Sequence, residues 1–195
     1  MRTLLTHLSL VALLAACGGE DMSGPEPDPL PREGLDAGDP GPSKVIFVTS
    51  TRHDGDLGGF EGADAICAER ASAAGLTGTF RAWLSSGTVN AADRLEQSTG
   101  PYVRTDGVQI ASDWADLIDA NIAAPINRDE NGNSQSGDVW TGTYSSGVMA
   151  PDTCSGFMIT GGSGMCGNSN ATNLQWTDNL VPGCTTMLRL YCIEQ

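Results

Sequence analysis

The sequence predicts an α+β domain over residues 44–195, with two helices, short antiparallel strands and a long loop region closed by disulfides. Three observations predict it. Apolar runs with β-branched or large side chains stand near both ends of this segment, at residues 44–49 and 187–193. A stretch at 60–74 repeats small and apolar residues at helical spacing. Six cysteines follow a secretory-type leader, and cysteines in an oxidising compartment pair.

The leader comes first. Arg2 supplies a positive start, and residues 4–16 are apolar but too short to span a bilayer. Leu14-Ala15-Ala16-Cys17 resembles the bacterial lipobox, which implies cleavage after Ala16 and a diacylglycerol on the Cys17 thiol. The alternative is a plain secretory signal with Cys17 an ordinary residue. Gly18 follows the cysteine, and the absence of Asp at that position implies an outer-membrane or cell-surface address in a cell with two membranes. Residues 18–43 hold six of the chain's ten prolines, seven acids and one arginine. So few apolar groups cannot offset ordering entropy, so the segment is expected to be an extended, disordered tether. At ~3.1 Å per residue it reaches roughly 80 Å.

The chain is strongly acidic, with a formal charge of −14 and a single lysine, Lys44. Residues 44–195 alone carry eight basic and seventeen acidic side chains, a net −9. Nucleic acid is excluded as a partner, because phosphate binding needs a basic surface.

The folded segment reads as follows. Residues 44–49 form a strand, being short and β-branched. Residues 54–59 turn, and 60–74 form a helix in which Ala63, Ile66, Cys67, Arg70, Ala71 and Ala74 recur at three and four, with Gly75 as the stop. Residues 80–84 are a second strand, and 91–97 a second, short helix. Residues 102–104 and 108–110 flank Thr105-Asp106-Gly107, and Asp-Gly favours a hairpin turn. Residues 114–118 are a helical turn or a short strand. Residues 127–137 are a polar loop, 139–142 a strand, and 144–172 a long Gly/Ser/Asn-rich loop of the kind that is functional or pinned. The last strand, 187–193, puts Leu188, Leu190 and Cys192 on one face and Met187, Arg189, Tyr191 and Ile193 on the other.

With Cys17 lipidated, Cys67, Cys154, Cys166, Cys184 and Cys192 remain. Pairing four of the five allows fifteen arrangements, among which spacing alone does not choose. Burial favours Cys67 with Cys192, since one lies on the helix stripe and the other on the inner face of the last strand. Cys154 and Cys184 bracket the long loop, and a bridge there would pin it. Cys166 is then left over, either an inert buried thiol or a redox or intermolecular group.

A family resemblance rests on several stretches. They are Val45-Ile46-Phe47-Val48-Thr49, Gly58-Gly59, Gly62-Ala63-Asp64-Ala65-Ile66-Cys67 and Phe80-Arg81-Ala82-Trp83-Leu84-Ser85. Asp113-Trp114, Pro125-Ile126-Asn127, Asp129-Glu130-Asn131-Gly132, Val139-Trp140-Thr141-Gly142, Gly167-Asn168-Ser169-Asn170 and Leu190-Tyr191-Cys192 continue it. Together they resemble an uncharacterised bacterial domain family related to the endostatin-like branch of the C-type lectin fold. The resemblance implies a C-type lectin-like fold, adjacent first and last strands, and the same nested pairing of Cys67–Cys192 and Cys154–Cys184. It puts Val139-Trp140-Thr141-Gly142 where the fold has its Trp-Ile-Gly-Leu core strand. Departures stand beside it. Lectins of this fold hold calcium with Glu-Pro-Asn and Trp-Asn-Asp triplets. Here the long loop has no Glu-Pro-Asn, and Trp176-Thr177-Asp178 has Thr for Asn. Endostatin's zinc site is built on histidines, whereas His53 is the only histidine after the leader.

The chemistry of the chain points to binding. Asp129-Glu130-Asn131-Gly132-Asn133 has the composition of a calcium loop but lacks the spacing and terminal Glu of an EF-hand. It is otherwise a solvated turn, and no cofactor or metal is expected. A triad would have to use His53, and no nucleophile-elbow motif accompanies it. No catalytic residue is assigned and the chain is read as no enzyme. Asn168, Asn170, Asn173, Trp176 and Asp178 fall within eleven residues. Amide side chains donate and accept, and an aromatic offers a stacking face. They are the candidate ligand-binding residues, with turn capping and core filling as the alternative. The expected role is a surface-anchored lipoprotein that binds a protein, matrix or glycan ligand, by analogy with bacterial endostatin-like lipoproteins that bind host matrix or complement regulators. The alternative is a structural, envelope-assembly lipoprotein with no diffusible ligand.

Overall fold

A computed structural model of the chain describes residues 40–195. The leader, Cys17 and the tether up to residue 39 lie outside the described residues.

The element order is β1 (Lys44–Val48), α1 (Gly59–Ala73), β2 (Phe80–Ala82), α2 (Ala91–Arg94), β3 (Tyr102–Arg104), β4 (Gln109–Ala111), α3 (Trp114–Leu117), β5 (Asp138–Trp140), β6 (Cys166–Asn168) and β7 (Arg189–Glu194). A helical turn at Cys154–Phe157 and a 3-10 turn at Leu174–Trp176 stand between β5 and β7. The fold is α+β, with a curled sheet ordered β4-β3-β1-β7-β5-β6, and β2 also pairs with β7.

The first and last strands are neighbours: β1 and β7 run antiparallel, with Phe47 opposite Cys192. The sheet is mixed, which corrects the expectation of antiparallel strands throughout. β1 and β3 are parallel, as are β5 and β7. Each of these pairs is joined by a long crossover instead of a hairpin, and crossovers return a strand in the same direction. The two-helix expectation is also corrected. Only α1 exceeds one turn, and α2 stops at Arg94, because Leu95 turns extended (φ −99°, ψ 148°) and enters the core at 5% exposure. β4 starts one residue later than the hairpin pattern suggested, and Gly107 at φ 81° closes the turn.

β7 is buried on both faces, and this organises the interior. Leu188, Leu190 and Cys192 join Phe47, Ala63, Cys67, Phe80, Trp140 and Phe157 in one core. Tyr191 and Ile193 join Ile46, Val48, Trp83, Tyr102, Trp114 and Trp176 in the other. The alternation read from residues 187–193 is therefore correct, except that Met187 stays exposed. α1 presents Ala63, Cys67 and Ala71 to the first core, small residues that let it lie close to the sheet. Asp64 fixes it there: one carboxylate oxygen accepts from the Ala82 N–H, and both accept from Arg94 at 2.6–2.7 Å. The Arg94 guanidinium lies 4.4 Å over the Phe60 ring.

The two disulfides are nested as expected. Cys67–Cys192 ties α1 to β7, and Cys154–Cys184 ties the long loop to the segment before β7. Cys166 is free and buried.

Residues 144–172, expected to be loop, contain β6, which pairs antiparallel with β5. Three residues in a Gly/Ser/Asn context carry no periodic signal; the strand exists because β5 offers an edge. Gly167 is required there, since a Cβ would fall 1.9 Å from the Trp176 carbonyl oxygen. A buried hydroxyl network stitches the same region together. Thr177 Oγ1 accepts from Trp83 Nε1 (2.7 Å) and donates to the Thr143 carbonyl (3.0 Å). Thr141 Oγ1 donates to the Thr177 carbonyl (2.6 Å), and Thr143 Oγ1 shares a bond with Ser85 Oγ (2.9 Å).

Candidate functional site

The strand directions bring several loops to one end of the sheet. β1 ends at Val48, whose N–H donates to the Arg128 carbonyl. β7 begins at Arg189, and β5 runs parallel to it with Val139 beside Arg189. The loops around residues 50, 127–137 and 168–170 therefore meet at this end.

A charged cluster forms the base. Asp129 and Glu130 are 1% and 4% exposed, so the loop read as solvated is buried at its acids. Asp129 Oδ1 accepts from the Asn131 and Asn133 N–H groups (2.9 Å each), and Oδ2 accepts from Gln135 Nε2 (2.7 Å). Its carboxylate thus folds the loop around itself. Glu130 accepts from the backbone N–H (2.9 Å) and the hydroxyl of Ser50. Arg189 donates to the carbonyls of Thr49 (2.7 Å) and Ser50 and to Gln135 Oε1. Burial lowers the Arg189 pKa, Arg52 adds to that, and Asp129 and Glu130 oppose it.

A surface lattice covers this base. Arg104 grips Asp106 through two bonds (2.9 and 2.8 Å) and donates to Asn127 Oδ1 (3.0 Å). Arg128 reaches Asp106 at 3.0 Å. The hydrogen bonds from Arg104, then those from Val108 and Arg128, hold the Asp106 carboxyl below its usual range. Asn127 Nδ2 donates to Asn170 Oδ1 (3.3 Å), and Asn168 Nδ2 donates to Asp138 Oδ1 (3.2 Å). The Asn170 N–H closes on Asn168 Oδ1 (2.9 Å).

Of the candidate ligand residues, Asn168 and Asn170 therefore stand together in a patch with Asn127 and Asp138. Asn173 is exposed and caps the 3-10 turn by accepting from the Gln175 N–H (3.1 Å). Asp178 is half-buried, and burial raises its carboxyl pKa. Trp176 is corrected: at 0% exposure it offers no stacking face to a ligand. Its ring centroid lies 5.0 Å from that of Trp83 and 5.8 Å from that of Tyr191. A 3-10 turn has about three residues per turn, so polar neighbours point outward while Trp176 points in. Thr177, which stands where the lectin pattern has a calcium-ligating Asn, is also wholly buried.

His53 is half-buried and its ring Nε2 bonds Thr51 Oγ1 at 2.9 Å. Burial, then Arg70, lower its pKa against Asp54 and Glu69. The Cys166 thiol is pushed up to about 12 by burial and then by Asp138. It therefore stays protonated at neutral pH and is a poor nucleophile. Among the described residues no three His, Cys, Asp or Glu side chains are grouped to hold a metal. Two concavities of about 320 Å³ lie outside the asparagine patch, one lined by residues 97–99 and 113–115, the other by residues around Asp152 and Ser163.

The sequence reading missed Asn127 and Asp138 as partners of the patch. The only signal was the Pro125-Ile126-Asn127 motif, with nothing to say that it meets Asn170, 43 positions away.

Fold and site define a disulfide-bonded α+β domain with a curled mixed sheet and a hydrogen-bonded polar loop face. The chain belongs to the family described as a protein of unknown function, DUF1554, whose model it matches over residues 50–175. Comparison with curated proteins gives no match.

Proposed function

We propose that this chain is a lipid-anchored binding protein of the cell envelope. In this reading an endostatin-like C-type lectin-like domain recognises a protein, matrix or glycan ligand through the asparagine patch. One observation carries it. Gly41 and Pro42 lie against Thr99 and Gly100, at the Lys44 end of β1. Asn127, Asp138, Asn168 and Asn170 gather at the other end of that strand. The polar loop face thus stands at the end of the sheet opposite Gly41 and Pro42, open to a partner. The β1–β7 pairing, the nested bridges and the long, mostly irregular stretch between β5 and β7 support the C-type lectin-like assignment. Binding is favoured over catalysis because Asp129, Glu130 and Arg189 are taken up by bonds that shape the loops, leaving little free edge for proton transfer.

Two expected results follow. Cys17→Ser moves the protein from the membrane fraction to the soluble fraction; unchanged fractionation would remove the lipid anchor from the reading. On an array of matrix proteins and glycans, binding by the full chain survives EDTA, because Thr177 is turned into the core and the Asp129 oxygens already accept N–H donors. The double variant Asn170→Ala, Asp178→Ala weakens binding with little change in melting temperature. EDTA-abolished, calcium-restored binding would overturn the calcium-independent claim, and equal binding by the double variant would place the site elsewhere. Failure to bind any arrayed ligand would favour the envelope-assembly role.

A further inference from the structure

The second concavity stands apart from the asparagine patch and is built differently. It measures about 320 Å³ and is lined by Pro151, Asp152, Thr153, Ser155, Gly161, Gly162 and Ser163. That volume is at the low end of the range for ligand pockets, about 300–1,000 Å³. The lining holds one carboxylate and three hydroxyls, and no lysine, arginine or histidine.

One wall is a backbone feature rarely seen in L-residues. Cys154, Ser155, Gly156 and Phe157 have φ of 49°, 51°, 82° and 57°, one turn of left-handed helix. It closes through the Phe157 N–H to the Thr153 carbonyl (2.6 Å) and the Met158 N–H to the Cys154 carbonyl (3.3 Å). The left-handed conformation costs about 1–2 kcal/mol for each residue other than glycine, and three of the four are not glycine. The turn persists because both ends are held. Cys154 is bridged to Cys184. Phe157 is fully buried, 6.0 Å from the Trp140 ring, and its carbonyl accepts from the Leu57 N–H. Glycine would fit position 155 without strain, yet a serine stands there, exposed and facing the cavity. Strain of this kind, held by its surroundings, clusters at functional sites.

The polar groups are open on the cavity side. Asp152 Oδ1 accepts from Ser163 Oγ at 2.7 Å. Among the described residues, Asp152 Oδ2 and Ser155 Oγ have no hydrogen-bond partner and no basic side chain pairs with Asp152. One apolar side chain flanks the hollow: Ile159 is 45% exposed. Ile159 Cδ1 lies 3.6 Å from where a Cβ on Gly161 would stand.

We infer that this cavity receives the side chain of a lysine on a protein partner, its ammonium held by Asp152 and Ser155 and its methylenes lying on Ile159. An acceptor-rich hollow in a chain of charge −14 draws cations. Lysine fits better than arginine. A guanidinium pairs best with a carboxylate whose two oxygens are both open, and here Ser163 Oγ already shares one of them. An oxygen without a partner, Oδ2, beside a hydroxyl suits a compact ammonium with rotatable donors. A long basic side chain also buries its stem on apolar surface while its charge meets a polar group.

The test is a titration of the ¹⁵N-labelled full chain with Nα-acetyl-lysine methylamide, the arginine analogue and glucose, each followed by amide chemical shifts. The expected result is saturable shifts at residues 152–163 with the lysine derivative in the millimolar range, weakened at least tenfold by Asp152→Asn. Ser155→Gly, which relieves backbone strain, raises the melting temperature and weakens lysine binding severalfold; it serves as a second test if Asp152→Asn does not fold. Absence of saturable shifts at these residues overturns the inference. So does unchanged affinity in either folded variant, or tighter binding of the arginine analogue or glucose.

Discussion

Replacing Cys67 and Cys192 together by alanine is expected to lower the unfolding free energy by about 5 kcal/mol, more than any other change to the covalent frame. The bridge joins residues 125 apart, and the loop-closure entropy it removes from the unfolded chain grows with the logarithm of that separation. The inner bridge, Cys154–Cys184, spans 30 residues, for which the same relation gives roughly 3.5 kcal/mol. Its removal should cost still less, because it also frees the left-handed turn at Cys154–Phe157 from strain. Both outer cysteines are fully buried, one in α1 and one in β7, so alanine leaves no unpaired hydroxyl in the core. Against a total of about 5–15 kcal/mol for a domain, the outer loss brings this one to the edge of unfolding. Urea denaturation of the two double variants checks the ranking, and an inner-bridge variant as unstable as the outer one, or more so, would refute it.

Much of the frame was legible because its signals are local. The β-branched run of β1, the small-residue stripe of α1, the Asp-Gly turn between β3 and β4 and the alternation in β7 each follow from the period of their own element. Burial of Cys67 and Cys192 followed from two of those periods, and the outer bridge with it. What was not legible depends on partners remote in sequence. β6 is a strand only because β5 lies beside it, and the parallel pairs arise from crossovers that no turn motif announces. Asp129 and Glu130 read as a solvated turn by composition, and nothing local announces the burial of Arg189. All three are buried because Ser50, Thr49, Gln135 and the loop's own N–H groups satisfy them. Four successive left-handed residues, three of them not glycine, cannot be read from Cys154-Ser155-Gly156-Phe157, where only the glycine hints at the conformation. The candidate site was half legible. The Asn168–Asn170 motif was visible, whereas its contacts with Asn127 and Asp138 are tertiary.

Trp176→Ala is expected to cost about 3–5 kcal/mol, the range for deleting a large buried aromatic. The ring is wholly enclosed, tilted against Trp83 on one side and Tyr191 on the other. Trp83 in turn packs 5.8 Å from Trp114, and Trp114 6.4 Å from Tyr102. Removing the ring leaves a void in the middle of this aromatic row, and neighbours anchored by their own hydrogen bonds cannot close it. Tyr191 is held through its hydroxyl to the Trp176 carbonyl at 3.0 Å, and Trp83 through Nε1 to Thr177. Phenylalanine at 176 should cost far less. It keeps most of the ring contact and removes Trp176 Nε1, a buried donor with no partner among the described residues; such a group carries a desolvation cost of about 1–3 kcal/mol. For a domain of this size each kcal/mol moves the melting temperature by roughly 2–4 °C. Alanine should therefore lower it by roughly 10 °C, with phenylalanine falling between alanine and wild type. A surface ring that stacks on a ligand would behave in the opposite way, losing affinity at constant melting temperature. An alanine variant that melts within a degree or two of wild type would return Trp176 to the surface and to the ligand face.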